Sequence, residues 1–123
     1  MRLEWAESEF TCVSGEHPRL GLNLVNAGRK PFVADIGRPC AFASLVEAST
    51  GERVPNVRGM AIAGVGWHVV LPAGAHTDVG VVLMTDRPQE LRPGLYLVSA
   101  GLHALDLEAP SGQLRVREGD PTP

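Results

Sequence analysis

The chain has 123 residues, 44% of them hydrophobic, with eleven basic against fourteen acidic side chains and a formal charge of −3. That length builds one domain with a real core, and the charge balance lacks the basic stripe that a nucleic-acid partner would require. No stretch approaches the roughly 18 apolar residues of a membrane span, and "MRLEWAESEF" carries acids where a signal peptide is apolar, so the chain is expected to be cytoplasmic and not inserted in a membrane. Aromatic residues are few, so the core must rest on Val, Leu, Ile and Ala. Fourteen glycines and ten prolines favour a turn-rich all-β chain over a helical one.

In chain order, a first strand is expected within "LEWAESEFTCV". "RLGLNLVN" then sets Leu20, Leu22 and Leu24 on one face against Gly21, Asn23 and Val25, and "NAGRKP" ends it with turn formers. "CAFASLVEA" alternates Ala41, Ala43 and Leu45 against Phe42, Ser44 and Val46 before the turn "STGE". From Val54 to Trp67 the chain carries one charge, Arg58, beside Met60, Ile62, Val65 and Trp67. This segment reads either as a buried strand, Met60 to Ala63, or as an apolar surface for a partner.

"GWHVVLPAG" places Trp67, Val69 and Leu71 on one face and stops at Pro72. "HTDVGVVLMT" follows as a further strand; with Ala73-Gly74 as a two-residue hairpin turn, His68 would face Val79 and His76 would face Leu71. In "LYLVSAGLHAL", Tyr96, Val98, Ala100 and Leu102 share one face and Leu95, Leu97 and Ser99 the other, both largely apolar as in a central strand. "SGQLRVRE" points Leu114 and Val116 inward and Gln113, Arg115 and Arg117 outward.

These segments predict an all-β fold, an Ig-like Greek-key β-sandwich of seven to eight antiparallel strands. One domain covers residues 1–117, and 118–123 form a polar tail. "LRPGLYLV" supplies the corner of such a sandwich. Pro93 presets φ, Gly94 permits positive φ, Leu91 plugs the sheet edge, and the Tyr96 hydroxyl is expected to reach a backbone group between Thr85 and Leu91.

The order "LGLNLVNAGRKPFVADIG", "CAFASLVEASTGERV", "VVLPAGAHTDVGVVL", "LRPGLYLVSAGL" and "SGQLRVRE" resembles the bacterial intracellular proteinase inhibitor group, the BsuPI-like domains. It also resembles related Ig-like and fibronectin-III-like modules. The resemblance covers roughly Leu20 to Val116 and rests on the Asn-containing turn, the "LPAG" turn and the "LRPGLY" corner. It implies the sandwich topology; no inhibitory loop maps onto this sequence residue by residue.

Chemistry-bearing patterns are sparse. His17, His68, His76 and His103 with Cys12 and Cys40 do not form the two close ligand pairs that zinc requires, so no metal or cofactor is expected. There is no G-x-S-x-G elbow. Cys40, at a strand entrance after Pro39, reads as a small buried hydrophobe, and the two thiols are expected to be unbridged.

The expected function is therefore a non-catalytic module or accessory subunit that binds another protein, a proteinase-inhibitor-like module being one form of it, through Arg58, Met60, Ile62, Val65 and Trp67. A free edge strand offers a route to oligomers. The alternatives are a cysteine enzyme using Cys40 with a histidine, and a carbohydrate- or small-ligand-binding sandwich with Trp5 and Trp67 as its platform.

Overall fold

Alternation in the sequence becomes alternation in burial. In the computed structural model, which describes residues 1–37, 40–61, 67–86 and 91–119, Leu20, Leu22 and Leu24 are fully buried. They lie on β3 (Arg19–Val25), which pairs antiparallel with β1 (Arg2–Trp5) and with β8 (His76–Thr85). A fourth strand, β6 (Val57–Ala61), joins the other side of β8, so the first sheet runs β1-β3-β8-β6.

The second sheet centres on β9 (Gly94–Leu102). One side of β9 pairs with β5 (Ala41–Glu47). The other pairs with β11 (Gly112–Arg117) and with the two-residue β10 (Leu107–Glu108). Beyond β11 lies β2 (Phe10–Val13). The sheets face each other across one core in which Leu45, Val81, Val98, Ala100, Leu102 and Leu114 have no exposed surface. The strand orders are those of an immunoglobulin-type sandwich, four strands against a sheet led by the third, sixth and seventh. The chain is all-β, as its turn-rich composition predicts.

The strands are more numerous than the expected seven to eight, and eleven are formed among the described residues. The N-terminal segment divides, β1 joining the first sheet and β2 the second. There β2 runs parallel to β11, a departure from an all-antiparallel arrangement that follows from a chain entering one sheet and crossing to the other. A separate ribbon of β4 (Phe32–Gly37) and β7 (Trp67–Leu71) accounts for the rest.

That ribbon corrects the expected hairpin between β7 and β8. His68 lies opposite Asp35, not Val79, and His76 lies opposite Val25, not Leu71. The cause is the Pro72–Ala75 turn. Its Gly74 N–H donates to the Asn26 carbonyl and the Asn26 N–H donates to the Ala75 carbonyl. The turn is thereby tied to the end of β3 and sends β7 out of the first sheet.

The tyrosine corner forms. Leu91 is buried, Pro93 is exposed, and Gly94 opens β9 at a φ of 151°, a region that side chains rarely enter. The Tyr96 ring is 2% exposed and its hydroxyl donates to the Arg92 carbonyl at 2.6 Å. The acceptor lies one residue beyond the expected Thr85–Leu91 stretch, because the turn at Pro93 brings the nearer Arg92 carbonyl to the hydroxyl. Ser14 reinforces the corner by donating its hydroxyl to the Leu91 carbonyl at 3.0 Å.

Burial raises the pKa of Tyr96, and the Glu47 carboxylate adds to it. A raised folded pKa means that this contribution to stability is complete below the ordinary value near 10 and is lost as pH rises through the raised one. Tyr96→Phe is expected to cost about 1–3 kcal/mol by orphaning the Arg92 carbonyl, and to remove part of the alkaline destabilisation, both read from urea melts at neutral and high pH.

Among the described residues no helix is long and apolar enough to cross a membrane. Of the expected tail, residues 120–123 lie outside the described part.

Candidate functional site

Alternation on β6 runs opposite to what hydrophobicity suggests. Val57, Gly59 and Ala61 are half-buried, whereas Arg58 and Met60 point out, and Met60 is 52% exposed. The strand therefore begins at Val57 and does not bury Met60, which corrects the expected burial of that residue; Ile62 and Ala63 of the expected strand lie outside the described residues. The small inward residues let β6 approach the core, which leaves its longer side chains on the outside.

The register with β8 completes a patch. Met60 lies opposite Val82 and Arg58 opposite Met84, while on the other side of β8 Arg19 lies opposite Val82. Val79, Val81 and Leu83 are buried, so Val82 and Met84 face outward with Met60. One row then reads Arg19, Val82, Met60, and the next holds Met84 and Arg58. Arg58 pairs with Asp86 at 3.2 Å, an exposed pair that adds little to stability. Methionine side chains are flexible and polarizable and adapt to irregular partners.

The remaining members of the expected set are placed elsewhere. Trp67 begins β7 and packs half-buried against the core, and Ile62 and Val65 lie outside the described residues. Sequence reasoning missed Arg19, Val82 and Met84. The signal was present in "HTDVGVVLMT": once His76 and Asp78 are set outward, the two-residue period carries Val82 and Met84 with them.

Neither indole forms an exposed platform for a sugar ring. Trp5 is half-buried, donates its N–H to the Pro110 carbonyl and packs edge-to-face on Phe10 with centroids 5.6 Å apart. Two further exposed apolar residues, Val33 and Val70, are cross-strand partners on the outer face of the ribbon, beside the exposed pair of Asp35 and His68.

Both cysteines are free. Cys12 is buried, and its thiol is pushed above the ordinary value by burial and then by the Glu16 carboxylate. Cys40 is exposed, which corrects its expected burial: it adopts a φ of 52° just before β5, and this turn carries its side chain away from the sandwich. Its carbonyl accepts the His103 N–H at 3.0 Å, while the His103 ring stacks on Phe42 at 4.4 Å between centroids. An alkylating reagent is expected to modify Cys40 in the native protein and Cys12 only after unfolding, as read by mass spectrometry. No three His, Cys, Asp or Glu side chains gather as a metal-binding group among the described residues.

A groove of about 630 Å³ opens beside the tyrosine corner, and its lining includes Glu47, Glu52, Asp86, Arg53, Arg92 and Tyr96. Its walls carry both signs of charge. Residues 87–90, which adjoin it in the chain, lie outside the described part.

No family model and no curated protein matches the chain. Among solved structures it is similar to the E. coli chaperone DraB, with 12% identity and a TM-score of 0.47 over 94% of this chain and 54% of that one. It is also similar to a family 123 glycoside hydrolase from Clostridium perfringens, with 8% identity and a TM-score of 0.48 over 94% of this chain and 23% of that one. The chain thus spans about half the length of the first and under a quarter of the second. At these values neither likeness says what this chain binds.

Proposed function

We propose that this chain is a non-catalytic β-sandwich module that binds another protein through the patch formed by Arg19, Arg58, Met60, Val82 and Met84. The observation that carries the reading is Met60, more than half exposed on an outer strand of the first sheet and continued by Val82 across the strand pair. An apolar centre bordered by guanidinium groups suits a partner that presents an aliphatic or aromatic anchor beside carboxylates. The module acts in a reducing compartment such as the cytoplasm, where an exposed Cys40 remains a thiol.

The finer reading follows from the resemblance to bacterial intracellular proteinase inhibitors, in which the partner is a proteinase. Met60→Glu places a carboxylate in the apolar centre. It is expected to weaken capture of the partner from the native cell at least about tenfold, the scale of a lost interface anchor, with the melting temperature unchanged because the side chain is exposed. Undiminished capture by the variant would overturn the assignment of this patch.

The exposed thiol of Cys40 favours one second reading, a cysteine-dependent enzyme with His103 nearby. Alkylation of Cys40 that abolishes a cellular activity while partner capture persists would put that reading first.

A further inference from the structure

At the tyrosine-corner end of the sandwich, inward positions of both sheets are polar. Ala43 and Leu45 are buried on β5, so the two-residue period turns Glu47, the last residue of that strand, inward beside its cross-strand partner Tyr96. On the facing sheet, buried Val81 and Leu83 set Thr85, the last residue of β8, inward as well. Both line the groove of about 630 Å³. The bridge of Val46 with Arg53 lays Glu52 opposite Glu47 on the same face, where the Glu47 N–H donates to the Glu52 carbonyl at 2.9 Å. Like charges directly opposite each other destabilise a strand pair, and among the described residues no guanidinium forms an ion pair with either carboxylate. The Thr85 hydroxyl oxygen is buried without a hydrogen-bond partner, whereas buried polar groups are ordinarily satisfied. Two unfavourable features thus meet at one cavity, and the sandwich itself requires neither.

We propose that this groove binds a small zwitterion with an ammonium and a carboxylate, an amino acid or a short peptide. The ammonium sits between Glu47 and Glu52 and gives the opposed carboxylates a shared cation. Glu47 is already held for this: its Oε2 accepts the Thr50 hydroxyl at 3.0 Å, which leaves Oε1 for the ligand. Arg53 and Arg92 belong to the same lining and take the ligand's carboxylate. They also disfavour a diamine, whose second cation they would repel. The Thr85 hydroxyl gains a polar partner from the ligand, and Val54 and Leu91 supply apolar wall. The volume lies within the roughly 300–1,000 Å³ of small-molecule sites. The groove shares no residue with the Met60 patch.

An NMR titration of the full chain with alanine and with trialanine tests the proposal. At least one of them is expected to shift the amide resonances of Glu47, Glu52 and Thr85 saturably below about 10 mM, the range of a weak small-ligand site. Tighter binding of alanine assigns a free amino acid, and tighter binding of trialanine a peptide. The N-acetylated and the amidated form of the better probe each lack one charge and are expected to bind at least about tenfold more weakly. Glu52→Gln and Thr85→Val are expected to weaken binding by a similar factor while melting at or above the wild-type temperature, because each removes an unfavourable feature of the unliganded chain. Met60→Glu should bind the probe as the wild type does. No response to either probe, undiminished binding of the acetylated or amidated form, or wild-type affinity in both groove variants would overturn the proposal. Lower melting temperatures in both variants would make Glu52 and Thr85 structural groups and overturn it as well.

Discussion

Asn26→Ala is expected to destabilise the domain by about 3–5 kcal/mol, a large share of the 5–15 kcal/mol typical of a domain. Asn26 is 3% exposed at the end of β3, and its amide is fully engaged. The side-chain nitrogen donates to the Lys30 carbonyl at 2.9 Å and to the Leu71 carbonyl at 3.0 Å, and the side-chain oxygen accepts the Gly28 N–H at 3.0 Å. Alanine removes all three bonds and leaves the buried Leu71 carbonyl without its donor where water enters poorly. The Leu71 bond spans 45 residues of sequence, so the change also loosens the β4–β7 ribbon from the sandwich. Urea melts should show a lower midpoint, and hydrogen exchange should show earlier opening of β4 and β7 than of β9. A loss below about 1 kcal/mol would contradict this role.

Gly101→Ala is expected to cost about 2–4 kcal/mol, toward the upper end of the range for overpacking a tight site. A β-carbon there would overlap the Leu107 carbonyl oxygen and the Phe42 ring, whose Cε1 would stand 2.7 Å away. The ring can turn, but the carbonyl belongs to β10, which pairs with β9 at Leu102 and Gly101. Relief therefore requires β10 to move. Thermal melts should show the loss, and exchange at Leu107 and Glu108 should rise with it. Unchanged melting would mean that the β9–β10 contact is looser than its geometry.

Where one face of a strand is buried by its own sheet, the fold was legible in the sequence. The triplet Leu20, Leu22, Leu24 announces β3 and its inward face, and Tyr96, Val98, Ala100 and Leu102 do the same for β9. The tyrosine corner was also legible, because turn, plug and ring lie within six residues of one another. What escaped depends on distant partners. Asn26 reads as an ordinary turn former, yet its amide holds Leu71 and redirects β7 away from β8. On β6 the inward residues are small and the outward ones long, so hydrophobicity alone points Met60 the wrong way. The patch around Met60 needed the register with β8, which brings Val82 and Met84 from more than twenty positions away.

The most direct measurement of where this module binds is amide hydrogen exchange on the complex with its captured partner. Protection is expected to be confined to Val57–Ala61 and to Val82–Thr85, with the β4–β7 ribbon and the groove at the tyrosine corner exchanging as in the free chain. Protection centred on Val33 and Val70, or on Arg53 and Arg92, with Met60 unaffected, would contradict it.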